Sequence, residues 1–100
     1  MYDAKNLTKM KRYGELTPET MKAFRDFDAA ALKEGAISHK NKELIAVAVA
    51  VTTQCAYCIE VHTKKAKAAG ATEQELAEAI MVSAALRAGG SITHGLHCLE

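Results

Sequence analysis

Cys55 and Cys58 are separated by Ala56 and Tyr57, His62 follows four residues after the second thiol, and Glu43 stands twelve before the first. Thiols do nucleophilic and redox chemistry as thiolates, and at an unperturbed pKa of about 8.5 only roughly 3% is ionised at neutral pH. At helical spacing positions 55, 58 and 62 share one face. A thiol in the first turn gains from free N–H groups and the positive end of the helix dipole. That end contributes about 0.3 to 1 kcal/mol, less than one pKa unit, so a base must supply the rest. His62 is the natural candidate, and a preceding helix folded back on this one would bring the Glu43 carboxylate near. The relay would free a thiolate to attack an O–O bond. Cys58 would become a sulfenic acid, which Cys55 would condense with to form a disulfide that an external dithiol could reduce.

The elements that must position these groups are helices. Thr17, Pro18 and Glu19 mark a helix start, and Met21, Phe24, Phe27 and Leu32 recur at near-helical spacing before Gly35. Residues 1–16 read as an extended N-terminal arm, and 17–98 as a single helical domain. Ser38 caps the next helix, which carries Glu43 near its start and then the run Leu44 to Val51. Alternating Ala and Val would suit a buried strand, but no partner strand exists elsewhere in the sequence, so a central helix, apolar on all sides, is the better reading. A helix from about Cys55 to Ala69 stops at Gly70. Thr72 and Glu75 fit a capping box for another, which ends at Gly89-Gly90, with Ser91 starting a last short helix.

One hundred residues make one domain that buries only about two thirds of its unfolded surface. Nearly half of the residues are hydrophobic, yet 5% are aromatic and 19 are alanine, which favours close helix packing within and between subunits. A net charge of +1, with basic residues dispersed, argues against a nucleic-acid surface. Leu44 to Val51 is too short an apolar run to cross a bilayer, and Met1 to Arg12 lacks a hydrophobic leader, so a cytoplasmic protein with reduced thiols and no membrane partner is expected.

Each group also has an ordinary reading. Free cysteine is a good buried residue, a lone histidine is most often an unremarkable helix residue, and a lone glutamate is most often solvated or a first-turn dipole partner. His39, His94 and His97 read as surface or packing residues, and Tyr57 as packing or pocket wall. A zinc site could combine Cys55, Cys58 and His62 with Cys98 or His97, although ligands crowded on one helix close a tetrahedron awkwardly. Glu43 and His62 could serve as acid and base without the thiols, and the whole could be a structural oligomerisation module.

The composite of Glu43, Cys55-Ala56-Tyr57-Cys58 and His62 resembles the AhpD-like alkylhydroperoxidase branch of the carboxymuconolactone decarboxylase superfamily. The likeness extends through the Gly70-Ala71-Thr72 junction to Gly89-Gly90, over roughly residues 17–97. It implies an all-α bundle of about five to six helices and a homo-oligomer, commonly a trimer of longer members or a hexamer of short ones. The implied activity is a thiol-dependent peroxidase that uses no cofactor, with Cys58 peroxidatic, Cys55 resolving, and Glu43 with His62 the proton relay. A dihydrolipoyl group on a partner protein is the reductant among characterised relatives. Those peroxidases carry histidine where this chain has Tyr57 and are nearly twice as long, so this chain resembles one half that completes its pocket by oligomerising. The superfamily's other chemistry is a cofactor-free decarboxylation.

Overall fold

The computed structural model describes residues 2–100. Five α-helices follow one another: α1 (Met10–Leu16), α2 (Pro18–Leu32), α3 (His39–Thr52), α4 (Ala56–Ala68) and α5 (Glu73–His94). Short 3-10 turns, Ala4–Lys9 and Gly95–Cys98, flank them, and the described residues contain no strand. The alternating Ala and Val residues of α3 are thus helical. This helix is central, packing against both α4 and α5, and α2 touches it more lightly.

The core is small. Val47, Ala66, Ala71 and Leu76 are buried together, with Leu44, Val51 and Ile80 packed against them. Alanine at 66 is fully buried, and its small side chain lets α4 approach α3 closely. The buried positions of α3 are Glu43, Val47 and Ala50, spaced by four and three, so a carboxylate occupies the stripe that faces the interior.

The helix ends follow from local chemistry. Ser38 Oγ accepts from the N–H of Asn41 at 3.1 Å, and Thr72 and Glu75 bond reciprocally as the expected capping box. At the end of α4, Gly70 adopts φ +97° while Ala71 N–H donates to Ala66 O at 2.9 Å and Gly70 N–H to Lys67 O at 3.0 Å. This is a Schellman closure, in which glycine enters the left-handed region without Cβ strain. The end of α3 closes in the same way, with Cys55 N–H on Ala50 O at 3.1 Å, but its left-handed residue is Gln54, at φ +57°.

Two expectations are corrected. Residues 4–16 are helical rather than extended: Asp3 Oδ1 caps Lys5 N–H at 3.0 Å, and α1 ends because Thr17 must leave helical geometry before Pro18. Helix α5 does not stop at Gly89-Gly90 but runs on to His94. Neither glycine takes a positive φ, and Thr93 Oγ1 donates to Gly89 O at 2.9 Å, so a glycine pair that costs about 1 kcal/mol per residue weakens the helix without ending it.

Candidate functional site

The left-handed turn at Gln54 delivers Cys55 to the start of α4 as its N-cap, where Sγ receives the N–H of Cys58 at 3.2 Å. Both sulfurs therefore lie at the positive end of the helix. They are joined as a disulfide, with Cα atoms 5.3 Å apart, inside the ordinary range for such a bridge. Sequence spacing anticipated this pair, with Cys55 capping the first turn rather than lying within it.

Glu43 and His62 also meet. Glu43 is fully buried, and its Oε2 lies 2.9 Å from His62 Nδ1, across the α3–α4 interface. A carboxylate can only accept, so an ionised Glu43 pairs with the His62 tautomer that carries hydrogen on Nδ1. Among the described residues the other carboxylate oxygen, Oε1, is buried without a hydrogen-bond partner. Such an orphan acceptor costs about 1 to 3 kcal/mol, which makes it a candidate for a role other than stability.

Helix α4 connects the two pairs. Cys58 and His62 are four residues apart on α4 and so lie on one face, although no hydrogen bond joins the imidazole to either sulfur among the described residues. What the helix positions is the Glu43–His62 pair one turn beyond the disulfide.

Tyr57 gathers contacts that sequence reasoning did not foresee. Its hydroxyl accepts from Asn6 Nδ2 at 2.9 Å and from Asp3 N–H at 3.2 Å, and its ring packs on Tyr2 with centroids 4.8 Å apart. Tyr2 in turn donates to Glu60 on the same helix. That bond holds the Glu60 carboxyl below its ordinary value, with Lys64 assisting, and raises the Tyr2 phenol above its own. The partners lie more than fifty positions apart in sequence, beyond the reach of any local pattern.

Other histidines stay outside. His39 Nδ1 lies 2.7 Å from Leu32 O and ties the α2–α3 connection, while His94 and His97 pack edge to face, exposed, near the C-terminus. Cys98 is free and exposed. Among the described residues no group of three or more His, Cys, Asp or Glu side chains could hold a metal ion. A cleft of about 660 Å³ lies between α2, α3 and α4; Glu43 lines it together with Asp28, Leu32, Lys33, His39 and Lys65, and neither bridged sulfur does.

Comparison with known proteins bears on this arrangement. The family model described as carboxymuconolactone decarboxylase family matches residues 18–100. "Uncharacterized protein 4 in cox locus" of Paracoccus denitrificans is 46% identical over 72% of this chain and 65% of its own length. A Haemophilus influenzae protein is 43% identical over 90% of this chain and 82% of its own. The chain thus spans just under two thirds of the Paracoccus relative. Among solved structures, the apo form of a carboxymuconolactone decarboxylase family protein from Legionella pneumophila superposes with a TM-score of 0.78 at 35% identity, covering 88% of this chain and 79% of that one. A Methanobacterium thermoautotrophicum protein gives a TM-score of 0.80 at 37% identity, covering 86% and 97%.

Proposed function

The chain belongs to the carboxymuconolactone decarboxylase family, and from that premise we propose that it is a thiol-dependent peroxidase that cycles Cys55 and Cys58 between dithiol and disulfide. The observation that carries this reading is the buried Glu43 carboxylate, bonded through one oxygen to His62 and, among the described residues, unbonded at the other, beside the helix at whose N-terminal end both sulfurs lie.

Glu43 fixes the His62 ring with hydrogen on Nδ1, and Nε2 takes the proton of the Cys58 thiol. The thiolate attacks the terminal oxygen of R–O–OH, the O–O bond breaks, and the departing alkoxide takes up a proton to leave as an alcohol. Cys58, now a sulfenic acid, is attacked by Cys55; water departs and the disulfide forms. Two electrons from an external dithiol, for which a dihydrolipoyl group is the proposed source, restore both thiols. Oε1 of Glu43 is the acceptor that a reduced thiol, or a water carrying its proton, would satisfy.

A second reading has one observation in its favour. A cleft of about 660 Å³ is lined by Glu43, Asp28 and two lysines but by neither bridged sulfur, an arrangement suited to acid–base chemistry without the thiols. Cys58→Ser separates the two. Adding hydroperoxide to the reduced protein and mapping thiols by mass spectrometry is expected to show loss of two hydrogens and a Cys55–Cys58 bridge, absent in Cys58→Ser. Thiols that survive millimolar peroxide unchanged would overturn the peroxidase reading, and decarboxylation persisting in Cys58→Ser would favour the second.

A further inference from the structure

Residues 2–16 precede the stretch that the family model matches, yet the first of them are bonded to α4. Tyr57, between the two bridged cysteines, accepts from Asn6 Nδ2 and from the Asp3 N–H, and its ring packs on Tyr2. Three residues on, Glu60 accepts from the Tyr2 hydroxyl. Positions 57 and 60 share one face of the helix, so the segment is gripped along that face. No residue of the Ala4–Lys9 turn or of α1 is buried. Polar and ring contacts, rather than core packing, hold the segment in place, which puts it at the low end of local stability.

The main grip lies inside a loop that chemistry can open. The bridge from Cys55 to Cys58 closes a ring of chain with Ala56 and Tyr57 between its ends. A closure this short restrains the Tyr57 main chain before the segment docks, and restraint of that kind strengthens docking by removing an ordering cost. Reduction breaks the S–S bond. An external dithiol supplies two electrons and two protons, each sulfur becomes a thiol, and the reductant leaves as a disulfide.

We propose that the N-terminal segment is a redox-sensitive strap, held on Tyr57 and Glu60 while Cys55 and Cys58 are bridged and loosened when they are reduced. The linkage is reciprocal: a bridge that strengthens docking is itself favoured by docking, so the strap biases the couple toward its oxidised form. This needs the dithiol couple alone and no turnover of peroxide, so it is tested apart from the peroxidase reading.

The probe is dithiothreitol, with amide hydrogen exchange at Asp3 and cross-relaxation between the Tyr2 and Tyr57 rings followed in the full chain, bridged and reduced. Exchange at Asp3 is expected to be about tenfold faster in the reduced protein, with weaker transfer between the rings. Cys55→Ser/Cys58→Ser, which cannot bridge, is expected to match the reduced protein without any reductant. Tyr2 and Asn6 lie outside the buried core, so Tyr2→Ala/Asn6→Ala removes the grip and leaves the fold. Equilibrated against mixtures of reduced and oxidised dithiothreitol, that variant is expected to be half reduced at a dithiol-to-disulfide ratio about tenfold lower than the parent. Exchange at Asp3 that is equal in the two states, or slower in the reduced one, would overturn the proposal, as would an unchanged ratio in the double variant. Thiols that ignore peroxide, with these redox-linked differences present, would reject the peroxidase reading and retain the strap.

Discussion

Glu43 is a fully buried carboxylate. A carboxylate in a core stripe loses its water and, among the described residues, regains one hydrogen bond, to His62. Glu43→Gln keeps the shape and one carbonyl acceptor but loses the negative charge and replaces the second acceptor oxygen by an amide donor. The rate at which peroxide oxidises the thiols is then expected to fall by about 100-fold or more, measured by stopped-flow on reduced protein, with the helical circular dichroism unchanged. A rate within a factor of about three of the parent would remove Glu43 from the proton path. The meeting of Glu43 with His62 was legible in the sequence because helical spacing puts His62 one turn beyond the cysteines, and a preceding helix could fold back toward it. The docking of Tyr2, Asp3 and Asn6 on Tyr57 was not, since no periodicity links a terminal segment to a residue more than fifty positions away.

Among the elements, the caps were readable and the interruptions were not. Ser38, Thr72 and Gly70 act through bonds within a few residues of themselves, so residue type alone forecasts them. Gly89-Gly90 misled because glycine permits a stop without enforcing one. The two Schellman closures make a matched test. Gly70→Ala forces a Cβ into the left-handed region and is expected to destabilise by about 1 to 2 kcal/mol, whereas Gln54→Gly relieves the same strain and is expected to be neutral or to stabilise by up to about 1 kcal/mol, both read from urea midpoints. Opposite signs at the two positions are the expected result.

The capping box at α5 carries a pH dependence of its own. Hydrogen bonds from Lys40 and from the Thr72 N–H hold the Glu75 carboxyl below its ordinary value of 4.5. A depressed acid contributes stability above its unfolded pKa and loses it as pH falls through the folded value. Glu75→Gln is therefore expected to be less stable than the parent at pH 7, and the gap should close as the pH falls well below 4.5, in paired urea titrations. A gap unchanged at low pH would assign the effect to packing rather than charge.

At the scale of the whole molecule, one copy is an open object. Its radius of gyration is 16.5 Å, against about 13 Å for a compact chain of this length, and its extents are 53 × 32 × 29 Å. Phe27 on α2 and Leu86 and Ile92 on α5 are each at least 70% exposed. Apolar surface in this quantity is expected to be covered by further copies of the chain. Light scattering on eluted protein is expected to give a multiple of 10.8 kDa, and Leu86→Glu to lower it. A monomer at micromolar concentration would contradict this. The alanine-rich composition pointed toward such assembly, but the sequence holds no mark that fixes its symmetry.

The single bond between Glu43 and His62 also polices how the chain folds. Sliding α4 along α3 by one turn, about 5.4 Å, would strand the carboxylate in hydrocarbon with no proton donor and expose the apolar residues it sits among. Most helix pairs lined with alanine and valine tolerate such a slip cheaply, because neighbouring rows of small side chains look alike. Here the penalty falls on every register except the one that also brings the imidazole to its task. On the proposed mechanism the atom pair that favours one helix register is also the one that prepares the thiol, so a miswound copy would be an inactive one.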